Sequence, residues 1–312
     1  MSSRLAARLI GATLVATLLV ACSPATGAGG GGANANGPTT ATEPVIDPTT
    51  GLVVGTPTSV PGSVGGSYLF SPGATSTSRM VVFVHGGSWT GGSIYDVPWW
   101  ITAMAAQGWH VVSVGYRTSV AHPGAANDVG AAVRYLQTVT GIPSERTVLV
   151  GLSAGGHLAE LVAFGENNAK PYGAPVGTLV TMSPAHRVEG LAQHNYALGD
   201  AVTQGLLRCN PGIVNFGGFP DCAANTVAQA EPRNLIDAAD PPTFTALFED
   251  DFVVPPSLGG YALDYDLRAA GASSILSRFG GPFHDCDDSG SPEQSAMRTT
   301  VVGWISGAVS AS

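Results

Sequence analysis

The 312-residue sequence predicts an α/β fold, a mostly parallel central sheet with helices on both faces. Two observations carry that prediction. Short apolar runs alternate with stretches of helical spacing from residue 80 onward, the pattern of repeated strand–helix units. The stretch from about 59 to 312 also shows no second linker and no internal repeat, so it reads as one domain with a sizeable core. In order, Met80-Val81-Val82-Phe83-Val84 is apolar throughout and reads as a buried strand, followed by a helix near 97–107. Strand 110–115, helix 125–139, strand 147–151, helix 154–164 and strand 177–182 continue the alternation. Residues 243–248 run apolar like another buried strand; helix 257–270, strand 274–279 and helix 292–308 follow. Between 184 and 240 the pattern lapses into Gly- and Asn-containing sequence with Tyr196, Leu198, Leu206, Leu207 and Phe216.

Residues 1–21 read as a targeting segment rather than as part of the fold. Arg4 and Arg8 form a positive start, and residues 9–21 are apolar but too short and wrongly flanked for a stable membrane span. Leu19-Val20-Ala21-Cys22 resembles a lipobox, which would make Cys22 the lipidated first residue of a bacterial lipoprotein. An ordinary secretory signal with an incidental Cys22 is the alternative. Residues 22–58 are rich in Gly, Ala, Thr, Pro and Asn and cannot bury enough surface to offset their ordering entropy, so they read as a flexible tether. The protein is therefore expected outside the cytoplasm, held at the membrane by its lipid. Net charge is −9, and the 13 Lys and Arg residues are scattered, with Lys170 the sole lysine. That distribution offers no phosphate-binding groove and excludes nucleic acid as a partner.

Chemistry concentrates at Gly151-Leu152-Ser153-Ala154-Gly155, which follows an apolar run and precedes a helix-like stretch. Strand, turn and helix in that order are the context of a nucleophile elbow, a turn so tight that the serine backbone is strained and its Oγ projects from the sheet end. Side chains at Gly151 or Gly155 would collide across such a turn. A serine there needs a base, and on such elbows an acid and then a histidine follow it in the chain. Of the seven histidines only His284 lies far downstream, in Gly280-Gly281-Pro282-Phe283-His284 after a strand-like run. The acid belongs after strand 243–248, where Glu249, Asp250 and Asp251 compete. Oxyanion donors are expected from Ala154 and from the loop His85-Gly86-Gly87-Ser88-Trp89. Gly87 and Ser88 are assigned, with Gly86 as the alternative register. Losing one such donor typically costs about 2.7–4 kcal/mol of transition-state stabilisation. His85 reads as a hydrogen-bonded loop anchor and Trp89 as packing for the loop.

His-Gly-Gly-x-Trp at 85–89 with Gly-x-Ser-Ala-Gly-Gly-His at 151–157 resembles the bacterial carboxylesterase/lipase group of the α/β-hydrolase superfamily. That group includes hormone-sensitive-lipase-like, feruloyl-esterase-like and kynurenine-formamidase-like enzymes. Tyr116-Arg117, His122-Pro123 and Asn127-Asp128-Val129 resemble its next strand–helix link, so the similarity runs from about Tyr68 to the C-terminus. Ser88 replaces a third glycine usual in the hormone-sensitive-lipase branch, so the chain leans toward the His-Gly-Gly-x-Trp branch. The resemblance implies an α/β-hydrolase fold with a cap insertion at about 184–240. It picks Asp251 as the acid, because Asp-x-x-Val-Pro is similar to the group's acid loop; Asp250 is the runner-up, and Glu249 ends the strand. Asp128 takes a structural role at a helix start. The implied function is a serine hydrolase of carboxylic esters, short-chain or aryl, working through an acyl-enzyme on a small-molecule ester with no cofactor. An amidase or arylformamidase is the alternative within the fold, and a surface-anchored binding lipoprotein without chemistry is the alternative outside it.

Three cysteines remain besides Cys22. Cys209 and Cys222 flank a Gly/Pro-rich loop and are the favoured disulfide in an exported, disulfide-permissive chain, while Cys286 is left over or pairs with either of them. The spacing does not suit zinc. The run Asp285, Asp287, Ser289, Gly290 faintly resembles a calcium loop but has Ala296 where the glutamate belongs, so no metal is expected.

Overall fold

The computed structural model describes residues 45–46, 53–54, 57–71, 73, 79–212, 218–285 and 290–308. The targeting segment, the Cys22 lipidation site, most of the tether, Phe216 and Cys286 lie outside the described residues. One eight-stranded sheet organises the fold: β1 (Thr58–Ser59), β2 (Ser67–Ser71), β3 (Met80–Val84), β4 (His110–Gly115), β5 (Thr147–Leu152), β6 (Thr178–Met182), β7 (Thr243–Phe248) and β8 (Ser274–Phe279). Its spatial order is β8-β7-β6-β5-β3-β4-β2-β1, with β1 and β2 antiparallel to their neighbours and the remaining pairs parallel. The helices are α1 (Trp99–Thr102), α2 (Gly124–Thr140), α3 (Ala154–Asn167), α4 (Val188–His194), α5 (Tyr196–Ala201), α6 (Thr226–Gln229), α7 (Gly260–Ala270) and α8 (Pro292–Ala308).

β3, β5, β6 and β7 are buried at every position, which explains their unbroken apolar character. Alternation persists within them. Met80, Val82 and Val84 join the core beneath α2, α3 and α7, and Val81 and Phe83 join the core beneath α1 and α8. Residues of α2 (Val129, Val133, Leu136) and α3 (Leu158, Leu161, Val162) pack the first layer, and Trp100, Ile101, Met104, Val301 and Ile305 pack the second. α2 and α7 each end at a glycine of positive φ, Gly141 and Gly271, which closes the last turn without a Cβ penalty.

Two helix boundaries and one pair of strands differ from the sequence expectation. The stretch expected as one helix near 97–107 is a four-residue α-turn continued by a 3-10 turn over Ala103–Gln107, and Gly108 in left-handed geometry ends it. The helix expected from 257 starts at Gly260, because Pro255 and Pro256 lead a turn before it. β1 and β2 were not expected at all. They form an antiparallel edge in which every residue of β2 is only partly buried, so the segment lacks the apolar signature of a central strand. The 184–240 segment, expected as a cap, carries α4, α5, a π-turn over Val202–Leu207, α6 and a 3-10 turn over Pro232–Asn234. A bridge joins Asn210 to Asp221, and a disulfide joins Cys209 to Cys222.

Candidate active site

Strand order reverses between β3 and β5: the chain steps from β3 to β4 on one side, then returns to place β5 on the other. Crevices at the carboxyl ends of strands at such a reversal are where open α/β sheets place ligands. The loop after β3 and the elbow after β5 meet there. Ser153 follows β5 directly with φ 55° and ψ −121°, a strained geometry for a side-chain-bearing residue, and α3 begins at the next residue. The turn closes because Gly151 and Gly155 lack side chains. A Cβ on Gly151 would lie 2.4 Å from the Gly155 carbonyl oxygen, and one on Gly155 would lie 2.2 Å from that of Val84.

His284 reaches this point on the loop after β8, the strand at the sheet's far edge. The Phe283 ring packs edge-on against Phe248 at the end of β7, with centroids 5.3 Å apart, and Gln294 of α8 donates to the Asp285 carbonyl. Those contacts set the loop that carries the imidazole. His284 Nε2 lies 2.9 Å from Ser153 Oγ, and His284 Nδ1 lies 2.8 Å from Asp251 Oδ2. Asp251 Oδ1 accepts the Val253 and Val254 amides, both at 2.9 Å, so the two oxygens are turned in different directions by different donors. The carboxylate can only accept from Nδ1–H. That places the lone pair on Nε2, where the serine hydroxyl donates to it. Ser153 and Asp251 are 8% and 6% exposed, which leaves a narrow approach to the hydroxyl. Glu249 instead faces Arg278 and Tyr261 at the surface, and Asp250 is exposed.

The loop after β3 turns its carbonyls away. Tyr116 Oη donates to the carbonyls of His85 (3.0 Å) and Gly86 (3.3 Å), and the Thr90 and Gly91 amides donate to Gly87 O. His85 Nδ1–H donates to Gly86 O, and its ring stacks on Tyr116 at 4.3 Å, so His85 is a loop anchor. Among the described residues no backbone carbonyl takes the amides of Gly87, Ser88 or Ala154. Gly86 abuts the elbow, its missing Cβ 3.3 Å from Ser153 Cβ. The N-terminus of α3 adds its positive dipole end at Ala154. This is a place where a developing oxyanion finds donors already aimed and already short of partners.

Asp128, within the first turns of α2, accepts from Ser63 Oγ and from the Arg117 amide and guanidinium, fixing the chain around β4. A second histidine–carboxylate chain lies beneath the cap. His186 Nδ1 donates to Glu160 Oε2 at 2.7 Å and its Nε2 donates to Asp266 Oδ2 at 3.0 Å, while Arg187 donates to Asp266 Oδ1. His186 and Glu160 are fully buried. No cluster of three or more His, Cys, Asp or Glu residues suited to a metal ion occurs among the described residues. Nor does any described helix have the length and apolarity to cross a membrane.

The family model BD-FAE matches residues 68–261, more than half of the chain, from β2 through the nucleophile elbow and the acid loop. The chain belongs to the BD-FAE family. Solved structures with the same architecture place this BD-FAE member within the α/β-hydrolase fold. An acetyl ester-xyloside bifunctional hydrolase from Caldicellulosiruptor lactoaceticus is 21% identical, with a TM-score of 0.62 over 77% of this chain and 87% of that one. A bacterial heroin esterase is 22% identical, with a TM-score of 0.63 over 78% and 80%. A propionate-bound thermophilic esterase from the Planctomycetes species Thermogutta terrifontis is 17% identical, with a TM-score of 0.61 over 81% and 93%. No curated protein sequence matches the chain. The BD-FAE match stops before His284, so the histidine is placed by geometry rather than by the family match.

The sequence reading missed the residues that hold these groups. Tyr116 and Phe283 act across long separations in the chain, and nothing local to them signals their partners.

Proposed function

We propose that this protein is a serine hydrolase of carboxylic esters, acting on short-chain or aryl esters through an acyl-enzyme. The observation that carries the reading is the continuous chain Ser153 Oγ, His284, Asp251 beside three amides without backbone acceptors. Ser153 Oγ attacks the acyl carbon as its proton passes to His284 Nε2. The carbonyl oxygen becomes an oxyanion held by the Gly87, Ser88 and Ala154 amides. Asp251 fixes the imidazole's tautomer and stabilises the imidazolium without taking the proton. Collapse expels the alkoxide, which receives the proton from Nε2, and water then repeats the sequence to release the acid. Solved relatives that are esterases, one of them with propionate bound, support a short acyl group. The positive N-terminal segment and Cys22 support export and attachment to the bacterial membrane through a lipid.

A chain-length panel of p-nitrophenyl esters on wild type and Ser153→Ala tests the reading, with an anilide series beside it. Turnover of short esters that vanishes in the variant is the expected result. Equal turnover by the variant, or cleavage of anilides in preference to esters, would overturn it. Metabolic labelling with a fatty-acid analogue tests the lipid: label is expected on wild type and lost in Cys22→Ala.

A further inference from the structure

Each of the two paired sequence motifs ends in a residue that the ester chemistry leaves unused. Trp89 closes His-Gly-Gly-Ser-Trp, and His157 closes Gly-Leu-Ser-Ala-Gly-Gly-His. In the fold these two ends meet. Trp89 Nε1–H donates to His157 Nδ1 at 3.1 Å, and the rings cross edge-to-face with centroids 5.2 Å apart. An indole N–H can only donate, so Nδ1 carries the lone pair and the imidazole proton sits on Nε2. That proton is donated to the Ala230 carbonyl at 2.8 Å, where the cap segment returns toward the sheet. Both rings are buried, Trp89 at 3% exposure and His157 at 0%. Burial, partly offset by the bond to Ala230, pushes His157 down to about 3, so this neutral tautomer persists at working pH.

The loop has reason to need such an anchor. Gly87, Ser88 and Trp89 stand in succession at φ 114°, 54° and 59°. Backbone of that kind relaxes unless its surroundings over-determine it. Ser119 donates to the Trp89 carbonyl, and Gly205 of the cap packs where a Cβ would lie 2.5 Å from Ser88 O. The indole supplies the tie to α3, the helix that Ser153 opens. His157 sits one turn into that helix, its amide donating to Ser153 O.

We infer that His157 is a positioning residue for the hydrolysis proposed above: it holds Trp89, and through it the Gly87 and Ser88 amides, in register with Ser153. The same ring ties the loop to the cap at Ala230, so nucleophile, oxyanion donors and cap share one rigid support. This inference rests on the esterase reading.

Trp89→Phe removes the N–H and keeps an aromatic ring. The expected result is a fall in kcat on the order of 10²-fold, the loss a misplacement of about 1 Å can cause. KM should stay within about 2-fold, because only transition-state contacts are lost. Affinity for a phenylboronic acid, whose tetrahedral adduct on Ser153 engages the same donors, should fall alongside kcat. His157→Asn offers Oδ1 near the place of Nδ1 and should retain kcat within about 3-fold of wild type. His157→Gln keeps a donor toward Ala230 without that acceptor and should behave like Trp89→Phe. Amide exchange at Thr90, Gly91 and Ser119, whose bonds to the Gly87 and Trp89 carbonyls hold this loop, should quicken in Trp89→Phe and not in His157→Asn, a readout that needs no ester turnover. Unchanged kcat in Trp89→Phe overturns the inference, even if the melting temperature falls. Should His157→Gln not fold, Trp89→Phe and His157→Asn decide the matter. If Ser153→Ala hydrolyses esters as fast as wild type, the esterase reading fails instead, and amide exchange still shows whether the indole holds the loop.

Discussion

His284 and His186 are each bonded through both ring nitrogens, one at the mouth of the sheet and one beneath the cap, yet their neighbours give them opposite chemistry. His284 faces one acceptor, Asp251, and one hydroxyl that donates, Ser153, so a lone pair remains on Nε2. His186 faces two acceptors, Glu160 and Asp266. Burial works against its charge, but the Glu160 carboxylate and the hydrogen bonds that His186 donates to Asp266 and Glu160 outweigh that and push it up to about 9. Both its nitrogens then carry protons at neutral pH, and it has nothing to accept with. His157 is the third case, neutral like a base but sealed from any substrate. A histidine's role here follows from the donors and acceptors around it and from access, not from the presence of a carboxylate.

The comparison breaks most sharply at Ser153. Ser153→Ala should lower kcat by roughly 10⁶-fold on a p-nitrophenyl ester, the scale seen when a nucleophile is removed from such a unit. Asp251→Asn should cost about 10⁴-fold, because an amide no longer fixes the tautomer of His284. Asp250→Asn should match wild type in the same assay, since its side chain is exposed.

At His186 the loss should appear in stability. His186→Leu leaves Glu160 buried without a partner and should lower unfolding free energy by about 3–5 kcal/mol in urea titrations. The folded protein should retain its kcat. The pH dependence has a fixed sign. A folded value raised to about 9 from 6.5 means that the stabilisation is complete below about pH 6.5 and is lost as pH rises through 9. Wild-type stability should therefore decline between those limits, and His186→Leu should lack that component. A decline of equal size in the variant would show that the cluster is not its source. The smallest effect belongs to the cap. Replacing Cys209 and Cys222 together with serine should cost about 3 kcal/mol in the same titration, the chain-entropy value for a short loop.

What was legible in the sequence divides along the same line. Strands buried at nearly every position announce themselves, so β3 through β7 were read within about a residue from their apolar runs, and β8, partly exposed at the sheet edge, was read from its strand-like run Ser274 to Phe279. Ser153 and His284 were legible because an elbow has a local signature and only one histidine lies far enough downstream. The choice of Asp251 over Asp250 needed a family resemblance, and the geometry now separates the two by where their side chains face. β1 and β2 escaped because an edge exposed on one side carries no continuous apolar run. The His186 cluster escaped for a different reason: Glu160, His186 and Asp266 sit on a helix, a loop and another helix, and each looks like an ordinary polar residue until the chain folds.

The position of β8 has a further consequence, for when the molecule becomes reactive. β8 pairs only with β7, at the outer edge of the sheet, and the loop that follows it carries His284. In chain order the serine and the carboxylate come first and the imidazole last. A fragment that ends before Ser274 lacks His284, the base of the proposed hydrolysis. On the proposed mechanism, the base arrives only when this last strand pairs with β7.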